Sequence, residues 1–500
     1  MLKYHYKKIF LLFSFLILGL GVQSQNTEYQ KKEKAIYDSL TYHYYETGIW
    51  DSVIDIGKEA IYKGYDFYYL RMRMGLAYDY EGNFRMAEHH YTRALSFVPT
   101  DVNAAYYKYF AALNGGRIGE AYSSYKSFTS KQKEAIYKVQ NTDTKYIDDA
   151  ILSKRLQKIK VKPLTSLSLS YGYSFTGNQN KLADILPQSK YILYSSGDIR
   201  TNQSYINLFL SGNASPLIQW SAAYNHNKIN GEHLFHPKNL SFQTVGTNVS
   251  QDELYGSVNV LKGKGWELSI SAMLLHYKGF KIDTPIDTVF YMIPPPPDTL
   301  LTESIVFEHN YYSPTGNDYF LRFSIKKKYR LADMTFFGSY SKIYDKNPVQ
   351  TGLIFTLLPR GNYSLYLTNR LLYYHDDEDD RFVYKVLAGA QLSKKINIEG
   401  SATFGNIQNT NEPRAAVAYN WSEETSFKGD ISLSYQLMEQ LYVSLRYQIT
   451  QKQSVYNYYQ IDEVLPSQTL HGFFYATYRE EKGGYQFNQH FIILSLNWKL

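Results

Sequence analysis

The chain has 500 residues, with 53 Lys and Arg against 46 Asp and Glu, a formal charge of +7, 51 Tyr and no Cys. Without Cys, disulfides and thiolate metal sites are excluded, and so mild a charge does not point to nucleic acid. The Tyr content exceeds what a core needs and suggests rings that are apolar along their length and wet at the hydroxyl.

Lys3, Lys7 and Lys8 precede an apolar run from Ile9 to Leu20 that is too short to cross a bilayer and ends in Val22-Gln23-Ser24. This reads as a secretory signal peptide over residues 1–24, with the mature chain starting near Gln25 and no lipid-modified Cys behind it. Removing its three lysines from the formal +7 leaves about +4. No later run of about 18 apolar residues occurs, so no transmembrane helix is expected.

Residues 25–160 repeat at an offset of 34. Gly48, Gly82 and Gly116 share one column, and Val53, Ala87 and Ala121 a second. Ala60, Ala94 and Phe128 share a third, and Gly57, Tyr91 and Tyr125 a fourth. Paired antiparallel helices need a Gly at the turn and small side chains where their axes approach. The middle copy, with Gly75, Tyr78, Ala87, Tyr91, Ala94 and Pro99, resembles the tetratricopeptide repeat. That resemblance implies an α-solenoid whose groove binds a protein partner. The stretch from Thr142 to Lys160 is expected to cap it with a helix.

From Pro163 the period changes to two. Leu167, Leu169, Tyr171, Tyr173 and Phe175 alternate with serines and Gly172, and similar alternation returns around Ile396–Phe404, Phe427–Leu437 and Leu441–Thr450. Short turns are expected near 213–216, 263–265, 330–333, 360–362, 393–395 and 438–440. Longer connections are expected at 176–200, 229–248, 280–316, 345–348, 375–380, 406–424 and 452–485. Alternating short and long connections predict an antiparallel transmembrane β-barrel over residues 161–500 with about 14 strands, in a range of roughly 12–16. The segments 413–424 and 469–480 are either additional strands or hairpin extensions above the membrane. The chain stops on an apolar strand because a barrel must close on its first strand. Phe491, Leu494, Leu496 and Trp498 on that strand resemble the signal read by the outer-membrane barrel assembly machinery.

Arg322, Lys326, Lys385, Glu399, Lys428, Asp430 and Arg446 fall on polar strand faces and are expected to line or plug the lumen. No phosphate loop, dinucleotide fingerprint, zinc-protease helix or nucleophile elbow occurs, so no enzyme activity, catalytic residue, cofactor or metal is expected. His375–Asp380 reads as a solvated acidic loop, and His226, His233 and His236, with Glu232, as exposed residues near one external loop. Met292–Thr299, with its four prolines, reads as a stiffened loop. Ser434, Ser444 and His471 form no recognisable nucleophile arrangement.

A leader, three repeats and a C-terminal barrel together resemble Gram-negative outer-membrane proteins of the YaiO-type barrel family and, more distantly, repeat-barrel exporters of exopolysaccharide. The resemblance implies an outer-membrane location among lipid and lipopolysaccharide, with the repeats in the periplasm on an unidentified protein partner. The barrel would then be a channel or export portal, or alternatively a closed anchor for a structural adaptor.

Overall fold

The computed structural model describes residues 30–140, 162–176, 186, 192–237, 243–283, 290–292, 302–304, 310–343, 346–410, 423–466 and 473–500. The expected signal peptide and the expected capping helix lie outside these residues. The chain divides into two compact units, residues 1–159 with 360–362, and residues 160–359 with 363–500.

The first unit holds seven helices among the described residues: α1 (30–46), α2 (Trp50–Tyr62), α3 (Tyr68–Tyr80), α4 (Phe84–Phe97), α5 (Val102–Asn114), α6 (Ile118–Ser127) and α7 (Ser130–Gln140). The hairpins α1–α2, α3–α4 and α5–α6 turn at Gly48, Gly82 and Gly116, whose φ values are +70°, +71° and +67°. The residue after each Gly donates its amide five residues back: Ile49 to Tyr44 at 3.0 Å, Asn83 to Tyr78 at 2.8 Å and Arg117 to Ala112 at 2.8 Å. A left-handed residue is needed to satisfy those last carbonyls, so the 34-residue glycine column is a column of C-caps. Asn83 and Asp101 cap the next helices, accepting from the amides of Met86 at 3.2 Å and Ala104 at 2.6 Å.

Val53, Ala60, Ala87, Ala94 and Ala121 are fully buried where the helices meet, and Tyr78 is buried with them, while Pro99 lies exposed between α4 and α5. A Cβ on Gly75 would sit 2.4 Å from the Tyr91 ring, so α3 and α4 approach only because that position has no side chain. Gly75→Val is expected to cost the unit about 1–3 kcal/mol by overpacking, and Gly82→Ala about 1 kcal/mol by strain in the left-handed turn. Urea titration followed by far-UV circular dichroism reads both, and an unchanged midpoint in either variant contradicts the assignment.

The second unit is a closed antiparallel barrel of 14 long strands. They are β1 (Ser166–Thr176), β2 (Ile192–Ser215), β3 (Ile218–Pro237), β4 (Gln243–Lys262), β5 (Trp266–Asp283), β6 (Thr315–Lys328) and β7 (Ala332–Lys342). Then follow β8 (Val349–Leu357), β9 (Leu365–His375), β10 (Asp380–Gln391), β11 (Ile396–Phe404), β12 (Glu424–Gln436), β13 (Leu441–Pro466) and β14 (Phe473–Lys499). Each strand pairs with its sequence neighbours, and β14 returns to β1 with Leu496 opposite Leu169 and Ser495 opposite Ser170. Three three-residue strands, Phe290–Met292, Thr302–Ser304 and Asn310–Tyr312, lie in the β5–β6 connection.

Six short connections share one end of the barrel with the start of β1 and the finish of β14. At the other end, two of the expected loops are mostly strand. Residues 229–248 continue β3 and begin β4, and residues 452–485 continue β13 and begin β14. The hairpin alternative for 469–480 therefore holds over its described part, since residues 474–480 pair with the upper part of β13, whereas residues 411–422 lie outside the described set. Above the apolar zone neither face of these strands is continuously apolar, since Leu234, Tyr485 and Phe487 form an isolated cluster among polar residues, so no period of two appears in hydrophobicity. There β13 also pairs with β2, Tyr456 opposite Gly197, past the ends of β1 and β12.

The outer face is apolar over a limited height. On β1 it runs from Leu167 to Phe175, roughly 20 Å tall at ~3.3 Å per residue and ~40° of tilt, close to the ~25 Å of a membrane-spanning barrel. Trp220, Trp266 and Trp498 face outward near the short turns. At the opposite margin aromatic rings pair across strands, Tyr319 with Tyr340 at 6.3 Å, Tyr373 with Phe382 at 5.1 Å and Phe404 with Phe427 at 5.5 Å. Tyr hydroxyls there reach polar groups, as from Tyr224 to Asp252 at 2.6 Å and from Tyr447 to His490 at 2.6 Å. Two aromatic girdles around an apolar band are what a bilayer requires of a barrel. Leu494→Arg, in mid-band, is expected to destabilise the refolded barrel by ~2–4 kcal/mol, measured by urea unfolding in lipid vesicles. A neutral effect would place that face in water.

Candidate functional site in the barrel lumen

Strand pairing fixes which side chains share a level inside the barrel. All seven charged residues expected at the lumen lie on the inner face. Arg322 lies over the Phe337 ring with its guanidinium carbon 3.8 Å from the centroid, and Arg370 approaches the same ring at 5.3 Å. Lys385 stands opposite Arg370, and Lys428 follows one strand beyond Thr403. Asp430 accepts from the Ser401 hydroxyl at 2.5 Å. Half-buried Lys326 faces Glu267, whose carboxylate bonds Lys328 at 2.9 Å.

Every one of the fourteen strands contributes at least one buried inward side chain in the part of the lumen away from the short turns. Going round from β1 these include Ser174, Gln203, Asn225, Glu253, Leu275, Phe320, Phe337, Gln350, Leu372, Val383, Thr403, Lys428, Thr450 and Gln489. Two apolar clusters fill part of the space, one around Tyr255, Met273 and Phe320, the other around Phe337, Leu372 and Tyr374. Polar networks fill the rest. Glu253 accepts from Asn225 at 2.8 Å, from Asn227 at 3.3 Å and from Gln251. Gln489 donates to Ser174 at 2.8 Å. Higher up, Glu423 bridges two buried cations, Arg200 at 2.7 Å and Lys452 at 3.1 Å.

Sequence reasoning missed Glu253, Arg370, Arg200, Glu423 and Lys452. Arg200 and Lys452 fall in segments read as loops. Glu253 alternates with Gln251 and Tyr255 against Leu254, a signal that was present but submerged among polar neighbours. Glu423→Gln would leave two cations buried with weakened compensation and is expected to cost about 3–5 kcal/mol, read as a lower urea midpoint for the barrel. Unchanged stability would show that the triad is hydrated.

Toward the short turns the inward side chains become small, and a cavity of about 600 Å³ opens. Ser168, Ser170, Ser432, Ser434, Ser444 and Ser495 line it, with Asn207, Asn397 and Asn497, the rings of Tyr205 and Tyr366, and the charges of Glu399 and Arg446. Glu399, Ser432, Arg446 and Ile493 lie at one level on four successive strands. Glu399 accepts from the Tyr366 hydroxyl. On β14, Leu494, Leu496 and Trp498 face outward beside Ile492, whereas Phe491 turns inward one level above Ile493.

In the helical unit, Arg71 is clamped by Asp66 through bonds of 2.6 and 2.7 Å and lies 3.2 Å from His90. Burial alone would raise the Asp66 carboxyl, but the Arg71 hydrogen bonds and charge, aided by Arg93, hold it below its ordinary value. Burial lifts Glu88 instead, despite Arg117 at 2.6 Å. A depressed carboxylate stabilises above the unfolded range of ~3.9 and loses that contribution as pH falls through the folded value. Acid denaturation below about pH 4 is therefore expected to be shallower in Asp66→Asn than in the parent, measured by urea midpoints across pH. Parallel curves would contradict the clamp. On the surface, Arg73 pairs with Asp38 at 2.6 Å and lies 5.1 and 5.9 Å from the rings of Tyr42 and Tyr69. Tyr69 and Tyr80 are 63% and 68% exposed.

The other sequence candidates do not converge. His226 pairs with Asp252 and His233 with Asp198, each at 2.9 Å, and among the described residues no three His, Cys, Asp or Glu side chains form a metal-sized group. In the acidic loop, Asp376 accepts the amides of Glu378 and Asp379 at 2.8 Å each, a tight turn rather than a ligand ring. Ser434 and Ser444 bond each other at 2.8 Å, while His471 and the proline segment 293–299 lie outside the described residues.

The closed sheet, apolar band and two aromatic girdles define the barrel unit as a membrane-spanning β-barrel. No family model matches the chain, and no curated protein matches it in sequence. Among solved structures it is similar to a Pseudomonas aeruginosa FadL homologue, at 10% identity and a TM-score of 0.39 over 67% of this chain and 90% of that one. It is also similar to the Pseudomonas putida toluene transporter TodX, at 6% identity and 0.31 over 71% and 95%. The Acinetobacter baumannii outer membrane protein Omp33 aligns at 8% identity and 0.30 over 68% and 99%.

Proposed function

We propose that this chain is an outer-membrane adaptor: a β-barrel with a filled lumen that anchors a periplasmic tetratricopeptide-type repeat domain, which in turn binds a protein partner. The observation that carries this reading is the circumferential belt of buried inward side chains, to which all fourteen strands contribute. A solute pathway needs lining atoms that water can reach, and at this level the inward groups pack against one another instead. The same belt argues against a constitutively open channel or exopolysaccharide portal, the other role that the YaiO-type resemblance suggests.

Three further features support the reading. Short turns at the end where β1 starts and β14 finishes match the periplasmic side of outer-membrane barrels, and the longest connections, β1 to β2, β5 to β6 and β11 to β12, at the other end match the side facing lipopolysaccharide. The outward Leu494, Leu496 and Trp498 of the last strand suit recognition by the barrel assembly machinery. The exposed tyrosines around Arg73 are the residue types enriched at protein interfaces.

The test is conductance of the full mature chain reconstituted in a planar lipid bilayer, after heat-modifiable migration has shown it folded. The expected result is a quiet membrane. Stable conductance steps would overturn the anchor reading and favour a channel.

A further inference from the structure

The cavity near the short turns has no part in anchoring, and its chemistry is unlike the packed belt above it. Its walls carry short hydroxyl and amide side chains, several of which bond across strands: Ser170 with Ser495 at 2.8 Å, Ser434 with Ser444 at 2.8 Å, Ser168 with Asn497 at 2.7 Å. Each hydroxyl offers one donor and two acceptor positions, so these pairs leave capacity directed at the space between them. A volume of about 600 Å³ lies inside the ~300–1,000 Å³ range of small-molecule sites.

Two charges frame that wall. The other inward cations are engaged: Lys328 with Glu267 at 2.9 Å, Arg200 and Lys452 with Glu423, and Arg322 over Phe337. Arg446 is exposed to the cavity and, among the described residues, makes neither an ion pair nor a hydrogen bond. A guanidinium held inside a barrel without a partner is set for a carboxylate, which it binds through two parallel hydrogen bonds. Glu399 lies two strands away at the same level, roughly 10 Å between backbones at ~4.8 Å per strand. Its one hydrogen bond among the described residues comes from Tyr366, which leaves acceptor positions for hydroxyl donors.

We infer that this cavity binds a sugar acid, its carboxylate on Arg446 and its hydroxyls on the serine and asparagine wall and Glu399. A neutral sugar would leave Arg446 unpaired. A fatty acid would strand the hydroxyl wall, at a cost for each polar group left dry. The site is independent of the anchoring role, since a silent barrel and a conducting one can both hold it.

The experiment is isothermal titration of the full mature chain in detergent with glucuronate and with glucose, which share a ring and differ in the carboxylate. Glucuronate is expected to bind at least ~10-fold more tightly than glucose, the scale of one charge-assisted bidentate pair. Arg446→Gln should bring the two within about 2-fold of each other, while Arg446→Lys keeps a preference for the acid. Heat-modifiable migration confirms that both variants fold. Absent glucuronate binding, equal binding of the two probes, or a preference that survives Arg446→Gln would each overturn the proposal.

Discussion

The seam between β1 and β14 is the constraint on which the barrel depends. In hydrocarbon an unpaired backbone donor or acceptor costs several kcal/mol, and an open sheet would present a full strand edge of them. The register from Ser166–Lys499 to Thr176–Gln489 removes that edge along the whole of β1. Once the sheet is closed, side-chain alternation has only two destinations. Ile492, Leu494, Leu496 and Trp498 meet lipid, while Ile493, Ser495 and Asn497 meet the lumen. Beside the seam, Lys162 is hydrogen bonded to the Leu500 carbonyl at 2.8 Å.

Closure also creates an interior that fourteen strands make wide, and the chain fills its two halves differently. Away from the short turns, long or bulky side chains such as Phe337, Tyr374, Arg322 and Lys452 cross the space, with Lys452 held by the Glu423 carboxylate, Glu253 by amides and Arg322 by an aromatic face. Near the short turns, serines replace them and a cavity results. The packed belt and the open polar chamber thus contrast within one barrel, and the proposed anchoring role is argued from the belt while the proposed ligand site is argued from the chamber.

Much of this was legible in the sequence where the environment differs sharply across a strand. Leu167 to Phe175 alternates with serines because one side is lipid and the other is lumen, and the sequence of short and long connections led to the observed strand number. The 34-residue glycine column was equally readable, because only a left-handed cap needs Gly at that spacing. What could not be read depends on register between distant strands. Arg446 and Lys428 look alike in sequence, yet one faces the open chamber and the other is buried in the belt, because their cross-strand neighbours are Ser432 and Ile493 in one case and Thr403 and Thr450 in the other. The upper parts of β3, β4, β13 and β14 were read as loops because above the membrane neither face must be apolar.

Because the chain has no Cys, single cysteines report accessibility without background. The most direct test of the filled lumen places one at Ser434 in the chamber and, in a second variant, one at Gln350 in the belt, then treats each folded protein with a water-soluble maleimide. The account predicts that Ser434→Cys reacts in the native state and Gln350→Cys only after unfolding. Native labelling of Gln350→Cys would mean that water reaches the belt, and the barrel would have to be regarded as a pore.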